Sequence, residues 1–165
     1  MIRNITILFS ILVLVGFAIP ASAQSPIADH VVINEAETNP PGDDSTSPKE
    51  WVELYNPTDS DVDIGGWKIA STTVLKQTLT ISIGTVIKPD QFLTYSHKPV
   101  WFTDTNEVIE LRDENGIVVD ATPVLTDIKN DFTSWQRIYD GIDLIVSMIG
   151  SLNNQLLVHQ MENNL

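Results

Sequence analysis

Short apolar runs alternate with polar residues along most of this chain, and turn-forming clusters separate them at close intervals. That pattern predicts many short strands and an all-β fold. Val31-Val32-Ile33 is β-branched and bounded by polar residues, so it reads as a first strand. Pro40-Pro41-Gly42-Asp43-Asp44-Ser45 cannot continue it, because proline removes a ladder donor and glycine and aspartate favour turns. Trp51-Val52-Glu53-Leu54-Tyr55 resumes the alternation, with Val52 and Leu54 toward a core and Trp51, Glu53 and Tyr55 on the other face. Asn56-Pro57 ends it. Val62 to Ile64 is a short edge segment, and Gly65-Gly66 leads to Trp67 and Ile69, expected to face inward with Trp67 as a packing residue. Lys76 to Ile83 reads as a strand carrying Leu79, Ile81 and Ile83 on one face. Val86-Ile87 is short and stopped by Lys88-Pro89-Asp90. Gln91 to Ser96 is a strand with Phe92 and Thr94 opposite in direction to Leu93 and Tyr95. Val100-Trp101-Phe102 is an apolar loop segment, expected to close an open end of the core rather than to form an exposed aromatic patch. Glu107 to Leu111 and Ile117 to Ala121 form a hairpin in which Asn115-Gly116 supplies the left-handed positions of a tight turn, and Ser134 to Ile138 is the last strand.

Several of these segments carry a resemblance. Asn34-Glu35, the Pro-Pro-Gly connector, Glu50 to Pro57, Val62-Asp63-Ile64 and Gly65-Gly66-Trp67 follow one another in order. Gly84 to Pro89, Val108 to Leu111, Gly116 to Asp120 and Ser134 to Arg137 continue the series. Together they resemble the lamin-tail domain of the prokaryotic secreted type, over roughly Val31 to Gly141. The resemblance implies an immunoglobulin-like β-sandwich used as a binding or structural module. It brings no shared catalytic residues, so fold alone leaves the function open.

The two ends differ from this middle. Residues 1–23 have a positive start at Arg3, an apolar run from Ile5 to Ile19, and Ala21-Ser22-Ala23 as a small-x-small cleavage site. They read as a signal peptide, and only an uncleaved leader would hold the chain in a membrane. Residues 24–30 are a linker and 31–141 the sandwich. Residues 142–165 are an apolar tail in which Ile145, Ile149, Leu152 and Leu156 fall at helical spacing, with Asp143 as an N-cap candidate. Three readings of the tail stay open: a helix over a sheet edge, a partner-binding helix, or an end altered by a reading-frame error.

Composition narrows the function. There is no cysteine, so the fold rests on its core without disulfides, and thiol catalysis and cysteine zinc sites are excluded. The net charge is −13, from 9 Lys+Arg against 22 Asp+Glu. Phosphate binding needs clustered positive charge, so nucleic acid is not the expected partner. The same balance disfavours anionic lipid and suits a cation or a basic partner.

Candidate chemistry is sparse. Asp59, Asp61 and Asp63 alternate as in the opening of a calcium loop, but Ile64 and Ala70 stand where such a loop needs glycine and glutamate. They are weak metal candidates. Asp43-Asp44 is weaker still. Arg137 would pair with a carboxylate, adding little if exposed. Glu35 and Glu53 would meet across neighbouring strands, as a glycosidase pair does, although a solvated strand face explains them as well. His30, His97 and His159 fall in no catalytic motif. The expectation is a non-catalytic secreted or cell-surface module without a cofactor, meeting a protein or glycan of the cell envelope through loops at one end. The alternatives are a calcium-binding surface module and an extracellular hydrolase.

Overall fold

The computed structural model describes residues 27–43, 49–73, 77–97 and 100–143. The expected leader, the tail helix and Asp44 lie outside them, as does His159. The described residues form an immunoglobulin-like β-sandwich with no helix. Its first sheet joins β1 (Val32–Glu37), β2 (Trp51–Tyr55), β7 (Phe92–Ser96) and β12 (Trp135–Gln136), in the order β12-β1-β2-β7. Its second joins β4 (Lys68–Ser71), β5 (Thr78–Thr80), β9 (Ile109–Arg112) and β10 (Val118–Ala121), in the order β10-β9-β4-β5. Two ribbons complete it: β3 (Val62–Asp63) with β6 (Val86–Ile87), and β8 (Thr105–Glu107) with β11 (Leu125–Thr126). All named pairings are antiparallel.

The core forms where the inward residues of the two sheets meet. Val31, Ile33, Ala36, Val52 and Leu54 come from the first sheet and its lead-in, Ile69, Ile109 and Leu111 from the second. Each of the valine, leucine and isoleucine side chains among these contributes roughly 1.5–3 kcal/mol by leaving water. Trp101 and Phe102 are buried and stacked, with ring centroids 4.4 Å apart, so the apolar loop does close the core. Buried Glu50 holds this loop: its Oε2 accepts the Trp101 and Phe102 N–H groups. Leu93 and Tyr95 share one face, as their alternation predicts, and that face packs inward.

Three expectations change. Ile83 is 86% exposed, because β5 stops at Thr80 and Thr85 N–H turns back onto Ser82 O at 3.2 Å. The expected strand from Glu107 splits at Val108: β8 pairs with β11, while β9 pairs with β4 and β10. In the hairpin only Gly116 takes the left-handed conformation (φ 85°), with Asp113 Oδ1 accepting the Asn115 and Ile117 N–H groups at 2.9 and 2.8 Å. Arg137 does pair with a carboxylate, as expected, and the pair is buried rather than exposed.

The Arg137 side chain is 1% exposed and joins the two sheets. β12 has two residues and pairs only with Glu35 and Ala36, so the edge of β1 is uncovered at Ile33. There Asp120 of β10, in the opposite sheet, accepts the Ile33 N–H at 2.7 Å. Arg137 Nε donates to Ile33 O at 2.7 Å and Nη2 to the same Asp120 oxygen at 2.7 Å. Nη1 donates to Ile142 O. The pair thus replaces the missing rungs of a strand and cross-links the layers.

Breaking a buried pair strands a charge, which costs about 3–5 kcal/mol. Arg137→Ala and Asp120→Ala should each lower the urea-unfolding free energy by about that amount. Arg137→Lys should recover less than half of it, because an ammonium cannot make the planar fork to three acceptors.

Candidate functional site on the outer face of the first sheet

The face of β1, β2 and β7 turned away from the core carries Glu35, Glu53, Tyr55, Phe92 and Thr94. A bulge at Asn34 creates its centre. Ile33 pairs with Leu54 and Glu35 with Glu53, so Asn34 is the extra residue on β1. The bulge sets Glu35 directly opposite Glu53, a like-charge arrangement that is unfavourable on adjacent strands. The same strand-to-strand meeting was expected from the sequence.

Asn34 is buried and organises what surrounds it. Its Nδ2 donates to Glu53 Oε1 at 3.3 Å and to Asp140 Oδ1 at 2.9 Å, while its Oδ1 accepts the Gly141 N–H at 3.3 Å. Ser134 Oγ donates to Glu35 Oε1. Gly141 has φ 71°, and a Cβ there would lie 2.6 Å from Pro57 Cβ and 2.9 Å from Tyr55 Cε1. Only glycine lets the 138–141 turn press against β2 and bring Asp140 to Glu53.

Beside the carboxylates lies an aromatic step. Tyr55 and Phe92 pair across β2 and β7 and stack with centroids 4.4 Å apart at 25°. Phe92 is 41% exposed, and Tyr55 Oη donates to Asp90 Oδ1 at 2.9 Å. No lysine or arginine among the described residues forms a salt bridge with Glu35, Glu53, Asp90 or Asp140. Partial burial raises the Glu53 pKa from its ordinary value, Asn34 opposes that, and the charges of Glu35 and Asp140 add to it. Burial and the Asp90 bond raise the Tyr55 phenol.

The other sequence candidates lie apart from this face. Asp63 Oδ1 accepts the Gly65 N–H at 2.8 Å, Asp59 Oδ1 accepts Ser60 Oγ–H at 3.0 Å, and Asp61 is exposed. No group of three or more His, Cys, Asp or Glu side chains among the described residues has metal-holding geometry. His30 Nδ1 is 3.0 Å from Asp29, and His97 stands edge-on to Trp101 at 5.4 Å. Glu107, fully buried, is occupied in holding loops. Its carboxylate accepts Ser71 Oγ at 3.0 and 2.9 Å, Thr73 Oγ1 at 2.9 Å, and the Thr103 and Val108 N–H groups at 2.9 and 3.0 Å.

Asp140 and the Tyr55–Phe92 stack were not foreseen as parts of one surface. The alternation of β2 placed Tyr55 outward and that of β7 set Phe92 opposite in direction to Leu93 and Tyr95, so the missing information was which face of β7 meets the core and the register between the strands.

These features define an all-β, immunoglobulin-like domain of the binding or structural type. Residues 24–124 match the family model of the Lamin Tail Domain, and the chain belongs to that family. Asp120 falls inside the matched span, while β12 and Arg137 fall beyond it. A search of curated proteins finds no match.

Because the folded state raises the Glu53 pKa, its protonated form is favoured in the native protein. The associated stability is present in full below the ordinary glutamate value of about 4.3 and is lost as pH rises through the raised value. Glu53→Gln should therefore raise the melting temperature at pH 7, and the gain should shrink to nothing below about pH 4. Thermal melts of both proteins across this range check it.

Proposed function

We propose that this protein is a non-catalytic module, secreted or held at the cell surface, that binds a protein or glycan of the cell envelope through the outer face of its first sheet. The observation that supports this reading is the partly exposed Tyr55–Phe92 stack beside Glu53 and Asp140, which are gathered on Asn34, and Glu35, which lies opposite Glu53. Flat aromatic surface supplies contact area at low entropic cost, and polar groups at its border supply direction. Carboxylates opposed without an intramolecular cation lower stability, and surfaces that do so commonly serve recognition. The leader would be removed after Ala23, and the acidic balance turns the module away from nucleic acid.

Two results test this. Protein exported by cells making the full chain should have Gln24 as its first residue. It should sediment with isolated envelope material and be released by excess unlabelled protein. Phe92→Ala should weaken that retention at least tenfold, which corresponds to about 1.4 kcal/mol, with an unchanged circular-dichroism spectrum. Retention of Phe92→Ala equal to that of the parent protein would remove this face from the binding site.

A further inference from the structure

The two larger sheets end in four edge strands: β12 and β7 in the first, β10 and β5 in the second. An edge presents a row of unpaired N–H and C=O groups, and folded proteins blunt it by shortness, charge, proline or a bulge. Here β12 has two residues and β5 three. β10 contains Asp120 and a register shift between Val118 and Asp120. β7 has none of these devices. It is five residues long, Phe-Leu-Thr-Tyr-Ser, with no charge, no proline and an unbroken register against β2.

The ladder shows which groups are free. Asn56 N–H donates to Gln91 O, so by antiparallel alternation Leu93 and Tyr95 turn their backbone groups toward β2. Phe92, Thr94 and Ser96 turn theirs outward. Among the described residues no backbone bond outside the β2 ladder reaches them.

We infer that β7 is the seam of a homodimer, in which a second copy adds antiparallel across a two-fold axis at Thr94. The two four-stranded sheets become one of eight strands. Thr94 faces Thr94 of the second copy, Phe92 faces Ser96, and Leu93 faces Tyr95. The three outward residues then exchange backbone hydrogen bonds in facing pairs. Any strand added here must be apolar toward the sandwich and uncharged along the seam, and β7 meets both conditions itself. Leu93 and Tyr95 point to the core side, and Thr–Thr and aromatic pairs suit cross-strand neighbours. The charge pattern favours the same occupant. A chain of net charge −13 repels its copies over most of its surface, yet Gln91 to Ser96 is a strip where a two-fold brings no like charges together. A single strand pair buries less than the roughly 1,200 Å² of a stable interface, so the dimer dissociates on dilution. It tightens with salt, as the screening length falls from about 30 Å at 0.01 M to about 8 Å at 0.15 M. This inference does not rest on the partner proposed above, although β7 also carries Phe92 and Thr94 of that face.

Sedimentation equilibrium on protein expressed from the full sequence, in the form the cell processes it to, tests the seam. The expected result is a concentration-dependent monomer–dimer equilibrium with more dimer at the higher salt. The amides of Phe92, Thr94 and Ser96 should gain protection from hydrogen exchange as the protein is concentrated. Thr94→Pro removes an outward donor while sparing the β2 ladder, and Thr94→Lys places like charges together at the axis. Each should weaken dimerisation at least tenfold with melting temperatures close to that of the parent. If Thr94→Pro proves unfolded, Thr94→Lys and the exchange data decide. A monomer at every concentration and both salts would overturn the inference, and so would a dimer without protection at these amides. Monomeric protein that gains this protection only with an added extended peptide would assign the edge to a foreign strand instead.

Discussion

The fold depends on one buried ion pair that does the work of a strand. β12 is too short to finish the edge of β1, and Ile33 would be left with a donor and an acceptor away from water. Unpaired buried backbone groups cost about 1–3 kcal/mol each. Asp120 and Arg137 satisfy both, and because they come from opposite layers they also set how the sheets sit on one another. With no cysteine in the chain, such a link stands where a disulfide stands in many exported sandwiches.

The acidic composition takes on meaning through this division of labour. Some carboxylates are spent on architecture: Asp120 on the sheet junction, Glu50 on the Trp101–Phe102 loop, Glu107 on the hydroxyls and amides around β8. Each accepts several donors, which offsets the desolvation of a buried charge. Glu35, Glu53 and Asp140 are different. Glu35 and Glu53 face one another across a bulge, and Glu53 and Asp140 share the Asn34 amide, beside rings that remain partly in water. The contrast between hydrogen-bonded buried acids and opposed surface acids separates the scaffold from the surface we propose for a partner.

Much of the fold was legible because period-two alternation is a local signal. β2 and β7 lie at the residues where their alternation starts and stops, and Ile109 and Leu111 face inward beside wet Glu110 and Arg112. What was illegible is non-local. Ile83 continues the pattern of Leu79 and Ile81 but sits beyond a turn, so period alone put it in the core. The Glu35–Glu53 meeting was foreseen, but the bulge at Asn34 that sets it shows only once β1 is aligned with β2, and without it the place of Asp140 does not follow. That Arg137 would meet a carboxylate was legible, but its burial was not, because that comes from the shortness of β12, which it follows. For the candidate site, the residue types were visible, and their assembly was not.

Native-state hydrogen exchange of the Ile33 amide tests the central claim most directly. This proton goes to a side chain of the opposite sheet, so its protection reports the junction and not the ladder. The account predicts that it exchanges as slowly as the amides of Val52 and Leu54 in the central strand, and only through global unfolding. Exchange at the rate of exposed turn amides, with Val52 and Leu54 still protected, would contradict it: the sheets would then be held by the apolar core alone, with the Asp120–Arg137 pair as an accessory.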